Sequence, residues 1–401
     1  MATDFFSIYG RERIEQGALE QMLNVMSLEP VVAAALMPDA HQGYGMPIGG
    51  VAAVKDAVIP YAVGVDIGCR MHLTVLPEVD DSQLERLQSA LREAIVGGTH
   101  FGGSPLQEQR ALSFEAEAFL GSSKWRTVER VFGDLALKDR ARAQFGTSGG
   151  GNHFVEWGVM DFSAGGDFKS KKCLALLSHS GSRSLGFTIA NHYSKLASTL
   201  NPLPPPRHEL SWLSMHTQEG QDYWELMNLA GDYSRINHEI IHREVLSRVP
   251  EFADKLTAVV SNHHNFAWQE YVDGHEGLLY VHRKGATPAA EGQQGIIPGS
   301  MATAGYWVVG KGNAQSINSA SHGAGRAMSR SKALKTITLE ARSDLLKAAG
   351  VDLISAGLDE APQAYKDIEW VMGCQTELVS TKAAFLPKIV RMGGKVADEG
   401  D

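Results

Sequence analysis

The sequence predicts an α+β fold, a single compact domain with mixed sheets over residues 1–401. Short apolar runs such as CLALL (173–177) have the length and residue types of buried strands, whereas longer segments carry apolar residues at helical spacing. No repeat of fixed period and no long linker divides the chain. One compact α+β domain with helical insertions is therefore expected.

Helices are expected in three places. Residues 82–95 (SQLERLQSALREAI) repeat apolar side chains on one helical face. A second helical region follows a proline-rich turn and covers about 219–249, and a third begins near Arg326, just beyond the glycines of SHGAG. We place helical insertions at about 80–140 and 190–255.

Four apolar strands are expected to end abruptly in polar loops. CLALL leads into SHSGSR, TAVV (257–260) into SNHHNF, LLYV (278–281) into HRKGAT, and GII (295–297) into PGSM. Loops held by a rigid sheet are common locations of functional residues. The sequence therefore predicts active-site loops at the ends of strands.

Composition restricts the class of protein. The longest apolar run, residues 31–37 (VVAAALM), is far shorter than the ~20 residues that span a bilayer. Charged residues occupy the N-terminal segment where a signal peptide would be apolar. Three cysteines are an odd and sparse set for a disulfide framework. We expect a cytoplasmic protein with no membrane partner.

The net charge of −9 argues against a protein that coats nucleic acid non-specifically. Basic runs at 124–142 and 326–335 nevertheless allow a local basic groove. A solvated helix face is the alternative explanation for such runs.

One aspartate, one cysteine and three histidines lie in loops rich in glycine, serine or asparagine. These residues are Asp66 and Cys69 in GVDIGCRM, His153 in TSGGGNHFVE, His179 in LSHSGSR and His264 in SNHHNF. Together they suffice to hold two metal ions, with the thiolate between them. Ligand softness favours Zn²⁺, but the sequence leaves the metal open, and each residue alone is also explained as a buried structural group.

Three glycine-rich loops are candidate anion sites: HGAGR (322–326), PGSM (298–301) and GTSGGGN (146–152). Backbone N–H groups of a glycine turn at a helix N-terminus bind anions. An imidazole nitrogen can form a covalent bond to phosphorus, so His322 is a candidate nucleophile. A phosphate contact or a structural role is the alternative.

The segment His238-Glu239-Ile240-Ile241-His242 matches the H-E-x-x-H motif of zinc proteases. The extended form of that motif requires glycine and histidine where this chain has Val245 and Arg248. We expect a histidine pair that packs a helix rather than a protease site.

Nine segments in order resemble the RtcB family of RNA-splicing and RNA-repair ligases. They are MPDAHQGYGMPIGG (37–50), GVDIGCRM (64–71), FGTSGGGNHFVE (145–156), SHSGSR (178–183), NHHNF (262–266), HRKGAT (282–287), IIPGSM (296–301), SHGAGRAMSR (321–330) and DEAPQAYKDI (359–368). The resemblance implies a GTP- and Mn²⁺-dependent RNA ligase of tRNA splicing or RNA repair. Such an enzyme joins a 3′-phosphate or 2′,3′-cyclic phosphate to a 5′-hydroxyl.

The resemblance also implies residue roles. Asp66, Cys69, His153, His179 and His264 would bind two metal ions, with His264 chosen over His263 because the family's ligand directly precedes asparagine. His322 would form the covalent intermediate with GMP. RNA is the implied partner, and we expect it in a basic groove that uses Arg183, Arg326 and Arg330 with part of the 124–142 run. An archease-like activator is a further candidate. The residues implied to contact the nucleotide are Asn152, His153, Phe154, Val155, Glu156, Asn265, Pro298, Gly299, Ser300, Met301, Gly323, Ala324, Gly325, Tyr365 and Lys395.

Two positions depart from the family pattern. Gly305 stands where the family usually has serine, four residues after PGSM, and Lys395 is the nearest candidate for the family's C-terminal lysine but is followed by six further residues. A dinuclear metal-dependent phosphoesterase that opens cyclic phosphates without ligation is the main alternative function. A non-catalytic protein that binds RNA ends is the third.

Overall fold

The computed structural model describes residues 6–102, 112–133, 136–165, 172–252 and 254–394. Their α-helices are α1 Gln16–Met26, α2 Pro60–Val63, α3 Asp81–Gly98, α4 Phe114–Gly121, α5 Trp125–Phe132, α6 Ala136–Gln144, α7 Arg183–Leu200, α8 Gln218–Leu246, α9 Arg330–Thr336, α10 Leu339–Ala349 and α11 Ile368–Gly373. Among them, none is long and apolar enough to cross a bilayer.

The strands of the same residues are β1 Ser7–Ile8, β2 Val31–His41, β3 Ile48–Val54, β4 Ala57–Val58, β5 Arg70–Glu78, β6 His100–Phe101, β7 Thr147–Gly149, β8 Phe154–Asp161, β9 Lys172–Ser180, β10 Leu213–Ser214, β11 Ala258–His263, β12 Asn265–Tyr271, β13 Leu278–Lys284, β14 Ala286–Pro288, β15 Gln294–Ile297, β16 Gly305–Gly310, β17 Ser319–Ser321, β18 Asp352–Ser355 and β19 Val379–Met392.

Two sheets carry the site. The larger has the order β11-β5-β9-β8-β19-β16-β15, with β18 parallel to β19 and the other pairs antiparallel. The smaller has the order β1-β2-β3-β13-β12 and includes one parallel pair, β1 with β2. Helices and mixed sheets in one unit confirm the predicted α+β class.

The register of the larger sheet gathers distant loops at one edge. His179, near the end of β9, is opposite Met71 at the start of β5 and Phe154 at the start of β8. On the other side of β5, Arg70 pairs with His263 at the end of β11. Because neighbouring strands are antiparallel, the start of one lies beside the end of the next. The loops that precede β5 and β8 and follow β11 therefore meet beside the end of β9.

The two long predicted helices are confirmed with small shifts in their bounds. α3 covers the predicted 82–95, and it begins with a capping box in which Asp80 accepts from the backbone N–H of Gln83 at 2.8 Å. α8 covers most of 219–249. Aromatic residues such as Tyr193, Tyr223 and Tyr233 fill a core formed by α4 to α8.

The prediction of a helix near Arg326 was wrong. α9 begins only at Arg330, with Ser329 as its N-cap. Arg326 instead forms an isolated β-bridge with Tyr365, and the Ala327 N–H donates to the Ala364 carbonyl at 2.8 Å. The HGAGR turn is therefore not at a helix N-terminus, and any anion that it binds must rely on the turn itself.

Candidate metal and nucleotide site

The five predicted metal ligands converge on one point. Cys69 Sγ lies 3.0 Å from His179 Nε2 and 3.5 Å from His153 Nε2. His153 Nε2 also lies 2.9 Å from an Asp66 carboxylate oxygen, and His179 Nε2 lies 3.2 Å from His264 Nε2. Two overlapping triads result, Cys69–His179–His264 and Asp66–Cys69–His153, and the cysteine is common to both. This is the arrangement expected of two cations with a shared thiolate.

Hydrogen bonds to the far ring nitrogens fix two of the histidine tautomers. His153 Nδ1 donates to the Ser148 carbonyl at 2.6 Å, and His179 Nδ1 donates to the Asn152 carbonyl at 3.0 Å. Burial lowers the pKa of His179 to about 3, so this imidazole is neutral and its Nε2 lone pair faces the thiol. A cation between the thiol and the imidazoles would accept such a lone pair in place of a proton.

A glycine allows the aspartate to reach this cluster. A Cβ atom on Gly181 would lie 2.0 Å from an Asp66 carboxylate oxygen. Any larger residue at 181 would displace Asp66 from the histidines. The donor set of one carboxylate, one thiol and three imidazoles fits transition-metal ions.

His322 lies next to the cluster and is oriented by a buried carboxylate. The His322 and His264 ring centroids are 4.9 Å apart. One Asp39 oxygen accepts from His322 Nδ1 at 2.6 Å and from the His322 backbone N–H at 3.1 Å. The side chain of Asp39 is fully buried. His322 Nε2 is therefore left with a free lone pair, the requirement for a nucleophile.

A cavity of about 320 Å³ contains His322 and four of the candidate metal ligands, Asp66, Cys69, His179 and His264. This volume lies at the lower end of the ~300–1,000 Å³ range of small-molecule sites. Its apolar wall consists of Leu177, Phe385, Pro387, Val390 and Met392. Apolar residues beside a polar cluster suit a nucleotide with a flat base and charged phosphates.

Most of the residues predicted to contact the nucleotide line this cavity. They are Asn152, Phe154, Glu156, Asn265, Pro298, Gly299, Ser300, Met301, Gly323, Ala324, Gly325 and Tyr365. Burial raises the pKa of Glu156 to about 8. The loop at 298–303 is held by the Thr303 hydroxyl, which accepts from the Ser300 N–H at 2.7 Å.

Three predicted nucleotide residues differ from this group. The side chain of Val155 packs in a hydrophobic core, because successive residues of β8 face opposite sides of the sheet, so its predicted contact with the nucleotide remains a prediction that its side chain does not support. His153 faces the metal cluster, and Lys395 lies outside the described residues. Gly305 lines the cavity, and a Cβ atom there would lie 3.2 Å from the Pro298 Cα.

The predicted RNA-binding arginines already have protein partners. Arg326 and Arg330 line the cavity and pair with buried Glu360, whose carboxylate also accepts from the Tyr365 hydroxyl. Arg183 does not line the cavity, and its Nε donates to the Thr147 hydroxyl at 3.0 Å.

Three cations of the 124–142 run are neutralised by acids. Arg130 pairs with Asp222 at 2.6 Å, and the pairs Lys124–Asp232 and Arg142–Glu117 have distances of 2.5 and 2.6 Å. This pairing on helix surfaces favours the solvated-face explanation for at least half of the run.

The H-E-x-x-H segment packs a helix, as expected. His238 and His242 on α8 are buried, and both contact the Ser178 hydroxyl, at 2.7 and 2.8 Å. His238 Nε2 donates to the Ser180 carbonyl at 3.1 Å. These contacts hold β9 on both sides of His179. The pair thus supports a candidate metal ligand without belonging to the metal cluster.

Asn237 of α8 supports the loop that carries His153. Its amide donates to the Thr147 carbonyl at 2.9 Å, and its oxygen accepts from the Gly146 N–H at 2.8 Å. The next residue along, Ser148, binds His153 through its carbonyl.

Sequence reasoning gave no role to Asp39 or Glu360, although both lie in segments that carried the family resemblance. For Asp39, the only signal in the sequence was its place two residues before His41 in a motif segment. The partners of Asp39 and Glu360 become visible only in the fold. Asp39 bonds a residue 283 positions away.

A cluster of candidate metal ligands that includes a thiol, beside a further histidine in a nucleotide-sized cavity, is typical of metal-dependent enzymes that act on phosphates. Comparison with known proteins identifies the family within this class. The sequence model described as "tRNA-splicing ligase RtcB" matches residues 21–393. The chain belongs to the RtcB family.

Named relatives span bacteria and archaea. The chain is 33% identical to the RNA-splicing ligase RtcB of Escherichia coli K12, over 91% of each chain. It is 32% identical to the tRNA-splicing ligase RtcB of Nanoarchaeum equitans, over 94% of this chain and 92% of the relative. It is 30% identical to the RNA-splicing ligase RtcB of Mycobacterium tuberculosis, over 88% of this chain and 94% of the relative.

Proposed function

We propose that this protein is a cytoplasmic RNA ligase that uses GTP and Mn²⁺ to join RNA 3′-phosphate or 2′,3′-cyclic phosphate ends to 5′-hydroxyl ends. The observation that carries the proposal is the position of His322, with one ring nitrogen bound to Asp39 and the other directed toward a cavity that also holds the metal-ligand cluster. A phosphoesterase has no need of such a nucleophile.

His322 is the proposed attacking group. Its Nε2 forms a bond to the α-phosphorus of GTP, and the bond from that phosphorus to pyrophosphate breaks. Asp39 keeps the proton on Nδ1 and stabilises the positive charge that develops on the ring. A terminal RNA phosphate oxygen then attacks the same phosphorus, and the electron pair of the phosphorus–nitrogen bond returns to His322.

This second step makes GMP a leaving group on the RNA end. A phosphate monoester has no good leaving group, and the transferred GMP provides one for attack by the 5′-hydroxyl. Displacement needs the two ends held in line, which is a matter of positioning.

The proposed metal ligands are Asp66, Cys69, His153, His179 and His264, and Cys69 would bridge two ions. Bound Mn²⁺ would neutralise phosphate charge and polarise the reacting phosphorus centres. The donor set also suits Zn²⁺. A thiol ligand must be reduced, and Cys69 is a free cysteine, which agrees with the proposed cytoplasmic setting.

The base of the nucleotide is proposed to lie against the apolar wall, with Glu156 reading its edge. Guanine offers N–H donors on that edge, and they would favour the ionised form of Glu156, which can accept two of them. RNA remains the proposed partner, and the archease-like activator remains a prediction.

Incubation with GTP labelled at the α-phosphate and Mn²⁺, followed by a denaturing gel, tests the proposal. We expect a labelled protein whose adduct is labile in acid and stable in alkali, as a phosphorus–nitrogen bond is. His322→Ala should lose the adduct and the ligation of 3′-phosphate ends while still binding metal. An adduct that survives this substitution, or that maps to a lysine, would remove His322 from the mechanism.

The phosphoesterase alternative has its own readout in the same samples. If wild-type protein opens a 2′,3′-cyclic phosphate but forms no adduct and no ligated product, the ligase proposal fails and the alternative replaces it. His322→Gln serves as a matched variant that keeps a polar side chain of similar reach without a nucleophilic imidazole.

A further inference from the structure

A second cavity of about 310 Å³ adjoins the first near His322. Both cavities share His41, Arg326 and Tyr365 as lining residues. The remaining lining residues of the second cavity are Arg13, Glu15, Ala40, Ala327, Lys366 and Asp367.

The chain segments around the second cavity are continuous with those of the reaction centre. Ala40 and His41 directly follow Asp39, and Arg326 directly follows the glycine turn after His322. Gly325 has a positive φ of 71°, and a Cβ there would lie 2.2 Å from the Asp39 carbonyl oxygen. The turn is thus pressed against Asp39, and the second cavity lies at the flank of the two segments that hold the nucleophile.

Two cations of this cavity keep hydrogen-bond donors available. The guanidinium of Arg13 lies over the Trp370 ring, 4.6 Å from its centroid. Stacking uses the face of the guanidinium and leaves its in-plane N–H groups free. Among the residues that the structure describes, no carboxylate forms an ion pair with Arg13.

Lys366 is the second such cation. Its ammonium donates to the Pro38 carbonyl at 3.1 Å and to the Ala40 carbonyl at 2.7 Å, and an ammonium has three donors. Arg326 is different, because its donors already bind Met328, Asp359 and Glu360.

The two acids of the cavity accept backbone N–H groups. Glu15 accepts from Gln42 at 2.7 Å, and Asp367 caps α11 by accepting from Glu369 at 3.0 Å. His41 is neutral because burial lowers its pKa to about 4. Arg326 is already paired with Glu360, so Arg13 and Lys366 stand against the two acids of the lining. What the cavity offers a ligand is therefore the N–H donors of Arg13 and Lys366 that bind no protein acceptor.

We propose that the second cavity binds the RNA strand that ends in the 3′-phosphate, with Arg13 and Lys366 contacting the phosphodiester next to that end. This inference rests on the proposed function. A nucleotide in the first cavity leaves the RNA to approach from another direction, and the adjoining cavity offers space and unpaired donors there. Planar guanidinium forks suit phosphate oxygens.

Arg13→Ala tests the assignment, and Arg11→Ala is its matched control. Both arginines are exposed and belong to the same short 3-10 helix, Arg11–Arg13, but Arg11 does not line the cavity. Lys366 is a poorer target because it also holds the carbonyls on either side of Asp39.

The first readout is the binding of a fluorescent single-stranded RNA with a 3′-phosphate, measured by anisotropy at several salt concentrations. Loss of one charge-assisted phosphate contact should raise the Kd about tenfold. The slope of log K against log salt should become shallower by about 0.7. Arg11→Ala should leave both quantities near the wild-type values, and Arg13→Lys should restore part of the affinity.

The second readout uses isolated guanylylated protein, from which GTP has been removed. Adding 3′-phosphate RNA should transfer the label to RNA about tenfold more slowly in Arg13→Ala than in Arg11→Ala, at limiting RNA, while both form the adduct at the wild-type rate. Equal binding and equal transfer in the two variants would overturn the proposal. Normal transfer with slower sealing would also overturn it, because the cavity would then hold the 5′-hydroxyl strand.

The two proposals fail in different ways. If the wild-type protein forms no adduct, the proposed function fails, and the anisotropy comparison of Arg13→Ala with Arg11→Ala still decides whether RNA occupies the second cavity.

Discussion

Replacing Asp39 with asparagine should slow formation of the GMP adduct without removing the metal site. The carboxylate accepts two N–H groups of His322, at 2.6 and 3.1 Å, in a fully buried position. Hydrogen bonds that involve a charged group contribute about 1.5–3 kcal/mol. Because about 1.4 kcal/mol of barrier is a factor of ten in rate, adduct formation should slow by about 10- to 100-fold.

The physical reason is the charge that develops on the imidazole during attack. A neutral amide stabilises this charge less than a carboxylate does, and an amide nitrogen turned toward Nδ1 would place two donors face to face. Thermal stability should be retained, because the second Asp39 oxygen is buried without a partner among the described residues and the loss of its charge removes a desolvation cost.

The assay is a single-turnover time course with labelled GTP, alongside the metal content and melting temperature of each variant. Asp81→Asn is the control, because its side chain is 83% exposed and remote from the cavity lining. An Asp39→Asn protein with the wild-type rate would refute the orienting role. A protein that is slow only because it has lost metal would refute it equally.

Three further predictions concern the metal cluster, its support and the base pocket. Cys69→Ala should abolish ligation and reduce bound metal with little change in melting temperature, and elemental analysis that still finds two ions per chain would contradict a bridging thiolate. Asn237→Ala removes the hydrogen-bond partner of the buried Gly146 N–H and of the Thr147 carbonyl, which costs about 1–3 kcal/mol for each group. Urea denaturation should therefore show a lower free energy of unfolding, and titration with cobalt should show weaker metal binding. With the pKa of Glu156 raised to about 8 from 4.5, the folded state holds this proton more tightly than the unfolded state; stability of the nucleotide-free protein should therefore fall between about pH 4.5 and 8. Glu156→Gln should remove that part of the slope in melting temperatures measured across pH, and an unchanged slope would show that Glu156 is ionised throughout.

Local patterns predicted the strands and long helices because their cause is local. The apolar run CLALL became part of β9, and helical spacing in 82–95 became α3. The start of α9 was missed for the opposite reason, since Arg326 is held extended by Tyr365, a partner 39 positions later in the chain. No property of the segment itself reports that pairing.

For the candidate site too, the sequence predicted some features and missed others. Motif loops at strand ends identified residues that the sheet register then brought together, such as Cys69 and His179. Val155 was assigned to the nucleotide together with its neighbours because a motif names consecutive residues, whereas a strand turns alternate side chains to opposite faces. Charge partners were equally invisible, since Arg130 meets Asp222 only after α5 packs against α8.

The long-range register of the large sheet has a consequence for biosynthesis. The candidate ligands run from Asp66 to His264, and His322 follows 58 positions later. During translation, the candidate triad Asp66–Cys69–His153 is complete once residue 153 has been made, whereas the triad Cys69–His179–His264 needs residue 264. Both triads depend on strand pairs that are distant in the chain, and such pairing is slow because loop closure must come first. An emerging chain is thus expected to carry the Cys69 thiol before its neighbouring imidazoles are in place, and that thiol depends on the reducing environment around the ribosome.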